Sequence, residues 1–155
     1  MSATADLLDF VAGPHVLPPA ARADALRLLA DTLAVGAAGS TAPGAEGVRA
    51  AAAGWGAGDE ARLIGFDARL PAAGAAFANA FAIHCLEWDA VHEPAVVHAL
   101  SVVTAALAAA MDRMGGADPE AALTALAVGV EVASGLGVAA KTGLRFFRPA
   151  TAGLV

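Results

Sequence analysis

The sequence predicts an all-α fold, a helical bundle in a single domain spanning residues 1–155, and three features carry that expectation. Much of the 58% hydrophobic share is alanine, the best helix former, while tyrosine is absent and β-branched residues occur only in short runs. Start signals precede apolar runs, most clearly in "GGADPEAAL". A chain of 155 residues is also long enough to bury a real core.

The elements follow in order. From Pro18, "PPAARADALRLLADTLAVGAAGS" reads as a helix with Leu26, Leu29, Ala30 and Leu33 on one face, closed by the Gly, Ser, Thr and Pro cluster of Gly39 to Gly44. "EGVRAAAAGWG" predicts a short helix stopped by Gly54 and Gly56, and "ARLIGF" a brief extended segment. Pro71 opens a helix through "AAGAAFANAFAIHCLEW", and Pro94 opens the next, ending near "DRMGGAD". Asp118 as N-cap, Pro119 at the first helical position and Glu120 in the first turn begin a helix to about Lys141. Leu123, Leu126, Ala127 and Val130 share its inner face. Gly129, Ser134, Gly135 and Gly137 predict close approach of a neighbour, because each mid-helix glycine otherwise costs about 0.5–1 kcal/mol. The closing "FFRPATAGLV" reads as the start of a further helix.

Charge narrows the function classes. Charged residues make up 15% of the chain, against about 25% in a typical soluble domain. So little solvating material predicts apolar area that another subunit or a missing part of the protein covers. The net charge of −6 offers no basic stripe for nucleic acid. Pro94 to Met111 carries no Lys, Arg, Asp or Glu, but His98, Ser101 and the lack of an aromatic belt favour a buried core helix over a membrane span. A single cysteine, Cys85, and an acidic N-terminus without a signal-like apolar run fit a reducing cytoplasm.

The chemistry-bearing residues concentrate in "HCLEWDAVHEPAVVHAL", residues 84–100, which holds three of the four histidines. On a continuous helix His84 and Glu87 share a face while Asp89 points elsewhere. No HExxH, paired ExxH or Cys–His framework is present, so no metal and no cofactor is expected. A turn through "AVHEP" brings Glu87 near His98, and a carboxylate beside an imidazole suits general acid–base work. By the residues alone His84 is a hydrogen-bonded core histidine and His92 a turn residue. His98 lies in the first turn of an apolar helix, where a polar ring needs a partner. Cys85 reads as a buried small hydrophobe, and Ser101 and Thr104 lack an activating partner.

The stretches "AAFANAFAIHCLEWDAVHEPAVVHALSVVTAALAAA" and "ALAVGVEVASGLGVAA" resemble the MmgE/PrpD family, which includes 2-methylcitrate dehydratase and cis-aconitate decarboxylase. The family pattern has an Ala-rich Asn-Gly helix, His-x-Leu-Asp-aromatic-Asp-Asp, His-Pro-Ser opening an alanine-rich helix, and Gly-Tyr-Glu-Val. Here these stand as Asn79-Ala80, "HCLEWDA", "HAL" and "GVEV", and "LADTLAVGAAGS" looks like the family's early helix around Asp31. The resemblance implies a homodimeric helical domain and lyase or proton-transfer chemistry on small di- and tricarboxylates, without a required metal. It places the motif's first acid on Glu87, the second on Asp89 and the His-Pro-Ser histidine on His98, as catalytic candidates. Ala90 stands where the third acid would be. At the family's second histidine this chain reads "RFFRPATAG", with Arg148 or Phe147 at that place depending on where a one-residue gap is put, so Arg148, with Arg145, is a candidate carboxylate clamp rather than a base. His84 joins them as a substrate-binding candidate. The family's chain is roughly three times longer, beyond one typical domain, so a second chain supplying the C-terminal half is the expected partner.

Overall fold

The computed structural model describes residues 2–140, and within them the regular elements are six helices and one two-stranded ribbon, joined by turns and loops. The order is α1 (Ala3–Ala12), α2 (Pro19–Gly39), α3 (Ala45–Ala53), β1 (Ala61–Arg62), β2 (Arg69–Leu70), α4 (Ala72–His84), α5 (Ala99–Arg113) and α6 (Pro119–Ala139). The α4 helix lies at the centre, with α2, α3 and α5 packed on it and α6 packed on α5 and α2.

Alanine and glycine set how close these helices come. On α4 the buried residues are Gly74, Ala75, Ala78, Asn79, Ala82 and Ile83. Against them α2 presents Thr32, Val35, Gly36 and Gly39. The face expected from the leucines is therefore rotated, and Leu26 and Leu33 are exposed. The smallest residues, not the largest, decide this contact, because they let two backbones approach and recover dispersion contacts over a long line. Leu28 and Leu29 still reach a cluster built on Leu100, Leu123 and Leu126.

The start of α6 is as the sequence predicts. The Asp118 carboxylate accepts the Ala121 N–H at 2.9 Å, and Pro119 opens the helix. Glu120 pairs with Arg22 of α2. Leu123 and Leu126 are buried, and a Cβ at Gly129 would come within 2.7 Å of Val103, so the expected close approach is real there. Among the described residues α6 is long and apolar enough to cross a membrane, but it is packed against α5 and α2.

The expected extended segment is one strand of a ribbon, Ala61 opposite Leu70 and Arg62 opposite Arg69. Asn79 ties it to α4: its Oδ1 accepts the Ile64 N–H and its Nδ2 donates to the Arg62 carbonyl, each at 2.9 Å. Arg62 in turn grips Asp112 at the end of α5, Nε and Nη2 donating to both carboxylate oxygens at 2.7 to 3.1 Å. Hydrogen bonding from Arg62 holds the Asp112 carboxyl below the usual carboxylate range, against a smaller opposing effect of burial. A depressed carboxylate contributes stability above its unfolded value of about 3.9 and loses it as pH falls through the folded value. Urea midpoints at neutral and strongly acid pH should therefore fall further in the wild type than in Asp112→Asn, which has no such group to titrate.

One helix was not anticipated. Ser2 caps α1 through its side chain, accepting the Ala5 N–H at 3.3 Å, and Leu7, Leu8 and Val11 fall on one stripe. No residue of α1 is buried.

Candidate functional site

Both helices expected to flank the histidine-rich stretch are shorter than the sequence suggests, and the site lies in the segment between them. The α4 helix stops at His84 rather than running to Trp88, with Cys85 as its C-cap. Glu87 takes φ of 55°, a left-handed turn that ends the helix, and its N–H donates to the His84 carbonyl at 2.9 Å. Likewise α5 begins at Ala99, not at Pro94. Residues 92–97 fold into a tight turn in which His92 N–H donates to the Val97 carbonyl at 2.9 Å and Val96 N–H to the Glu93 carbonyl at 3.1 Å. Pro94 holds the second position of that last turn, which its fixed φ favours.

Val96 also takes a positive φ, 53°. For a β-branched residue this costs of order 1–3 kcal/mol and persists only where the surroundings hold it. Its neighbours do so: Ala95 and Val97 are fully buried against Ala99 and Ala133, and a Cβ on Gly137 would meet Ala95 at 2.7 Å. The glycine of α6 thus seats the turn that precedes His98.

This path changes which acid meets the histidines. With the helix broken at Glu87, Asp89 turns inward and its side chain is fully buried. His84 Nδ1 stands 3.0 Å from Asp89 Oδ1 and 3.2 Å from Oδ2. From the other side His98 Nδ1 stands 3.2 Å from the same Oδ1, at ion-pair distance but not aligned as a hydrogen bond. The two imidazoles meet edge to face with centroids 4.7 Å apart. Glu87, expected beside His98, instead sits at the rim with Oε1 3.4 Å from His84 Nε2 and its side chain 67% exposed. Asp89, expected to point away, is the hub.

The other candidates resolve simply. His92 is a turn residue whose Nδ1 accepts the Ala95 N–H at 3.3 Å. Cys85 lies against the Gly39 and Ala82 carbonyls, and burial pushes its thiol up, so it is protonated and not poised as a nucleophile. The Ser101 hydroxyl donates to the His98 carbonyl at 2.8 Å, which fixes the first turn of α5 rather than activating the oxygen. Arg145 and Arg148 lie outside the described residues.

Chemically, a carboxylate between two imidazoles does two things. It orients each ring through Nδ1, and its buried negative charge favours a positive charge beside it. That charge is a proton shared with the rings or a cation, and His84, Asp89 and His98 together offer ligand atoms within 4.8 Å of one another. The segment also carries Trp88, Val91 and Val96, all substantially exposed, so the cluster sits beside an apolar surface.

Comparison with known proteins gives one match. The family model of the MmgE/PrpD N-terminal domain matches residues 5–155. No curated protein and no solved structure matches the chain.

Proposed function

The chain belongs to the MmgE/PrpD N-terminal domain family, and from that premise we propose that it forms one wall of a site for a small di- or tricarboxylate, where a proton is moved next to a carboxylate in a dehydration, decarboxylation or isomerisation. The observation that carries this reading is the Asp89 carboxylate held between His84 and His98 at 3.0 and 3.2 Å. His98 is the proton donor or acceptor. With Nδ1 turned to Asp89, Nε2 is the nitrogen left for substrate, as in other carboxylate-oriented histidines. Asp89 sets the ring's tautomer and balances the charge it gains. Glu87 and His84 complete the rim.

Such a substrate is anionic, and the ion pairs of this cluster within the described residues join acids to histidines alone. The cationic wall is therefore assigned to Arg148 and Arg145 and to a second chain, of this protein or of a partner supplying the other half of the site, in the cytoplasm. Support for a covering chain comes from the apolar groove of about 870 Å³ between α5 and α6, lined by residues such as Val102, Ala106, Ala125 and Val128.

The assay is proton NMR of a panel of small di- and tricarboxylates incubated in deuterated water with the assembled protein, wild type or His98→Gln. Conversion or deuterium uptake at carbon is expected, falling about 100-fold or more in the variant, the usual scale of a lost general acid or base. Unchanged rates in His98→Gln would remove His98 from the reaction. The open groove also favours a second reading, a non-catalytic assembly or ligand-binding subunit. In that case the assembled complex keeps its function when His98 is replaced by alanine.

A further inference from the structure

We propose that His84, Asp89 and His98 also form a three-ligand site for a divalent first-row transition-metal ion of the zinc class, held through Nδ1 of both rings and the Asp89 carboxylate. Two imidazole nitrogens and a carboxylate are the ligand types such ions take, and three protein ligands leave a fourth position open.

Three features of the geometry support this. Metal–ligand bonds of about 2.0–2.1 Å place neighbouring tetrahedral ligands roughly 3.3 Å apart. The two histidine nitrogens already stand 3.0 and 3.2 Å from Asp89 Oδ1, and all three ligand atoms fall within 4.8 Å, so small ring rotations close the site around an ion. Next, His84 has its other ring nitrogen 3.4 Å from the Glu87 carboxylate. That is ion-pair distance, and it is the arrangement a metal-bound histidine uses for its remaining N–H once the ion has displaced the proton that Nδ1 now directs at Asp89. Finally, Asp89 carries a buried charge whose ion pairs, among the described residues, are with histidines only. A bound cation neutralises that charge without requiring either imidazole to be protonated.

The ligand set also selects the ion. Magnesium and calcium take oxygen ligands and gain little from two imidazoles, whereas zinc and cobalt(II) suit nitrogen with one carboxylate. Binding engages Nδ1 of both rings and the carboxylate together. Any proton on Nδ1 is released to solvent. With Nδ1 of His98 on the metal its Nε2 stays protonated, so it cannot take a proton from substrate, and the Asp89 charge that balances the ring is engaged by the ion. The ion therefore inhibits the proton transfer proposed above. That consequence rests on the carboxylate reading; binding itself does not.

Isothermal titration of the purified chain with zinc chloride alone tests the site, with cobalt(II) absorption as a second readout of coordination. One zinc ion per chain is expected, with magnesium giving no saturable heat, and cobalt producing the intense visible bands of a four-coordinate site. Asp89→Asn, His84→Gln and His98→Gln should each weaken zinc at least ~10-fold, and Glu87→Gln should weaken it less. His92→Gln should bind as the wild type does. Circular dichroism of each variant separates lost ligands from lost fold, and if Asp89→Asn does not fold, the two histidine variants decide. No saturable zinc binding, or equal affinity in the histidine variants, overturns the site. Zinc binding with full turnover in His98→Gln leaves the metal site standing and removes the carboxylate reading. Lost turnover without zinc binding does the reverse.

Discussion

Gly39→Ala should destabilise the chain by on the order of 3 kcal/mol, enough to leave it marginally folded. A Cβ at this position would lie 1.9 Å from the Ala82 carbonyl oxygen, with the Ala82 carbonyl carbon and Cys85 Sγ both at 3.0 Å. The obstacle is backbone, so no side-chain rotation relieves it and α2 must move away from α4. That contact joins α2 to the last turn of α4, and His84 lies two residues beyond Ala82 on the same helix. The variant should therefore also disturb the cluster. Gly135→Ala is the matching control. It lies inside α6 with nothing within 4 Å of the added carbon, so it should be neutral or gain about 0.5–1 kcal/mol from helix propensity. Urea midpoints of the two variants against wild type check the pair; near-equal midpoints would show that the α2–α4 crossing accommodates the added carbon.

Asp89→Asn should abolish most turnover, by about 100-fold or more, while changing the unfolding midpoint little. Asparagine keeps the shape of the fully buried side chain but removes the charge that orients and balances both imidazoles. Asp89→Ala is the harsher change, because it leaves two ring nitrogens facing a void, and a buried unsatisfied polar group costs about 1–3 kcal/mol. A large activity loss in the asparagine variant with a near-native midpoint separates a chemical role from a structural one. Matching losses of activity and stability would instead make Asp89 a structural residue.

Much of the helical framework is legible in the residues. Pro119 after Asp118 marks the start of α6, Gly39 to Gly44 marks the end of α2, and the absence of tyrosine with abundant alanine excludes an extended sheet. Leucine spacing on α2 points to Leu26 and Leu33, while the contact with α4 follows Thr32, Gly36 and Gly39, whose small size lets the two backbones approach. The site was legible as a cluster but not as a geometry. Two residues outside the usual left-handed set, Glu87 and Val96, break the chain path at either side of it. Glycine or asparagine there would have signalled a turn; glutamate and valine do not. Without those breaks Glu87 is the natural neighbour of His98. With them Asp89 moves inward and takes its place. The "HEPAVV" run held the remaining clue, since proline after glutamate favours a turn as well as a helix start.

The account's central claim is that Asp89 and His98 act as one unit on a small carboxylate. The most direct measurement is a double-mutant cycle in turnover, using the deuterated-water assay on wild type, Asp89→Asn, His98→Gln and the double variant. Groups that work through one another lose together, so the double variant should be no slower than the worse single variant. Losses that multiply, or a single variant at wild-type rate, would contradict it.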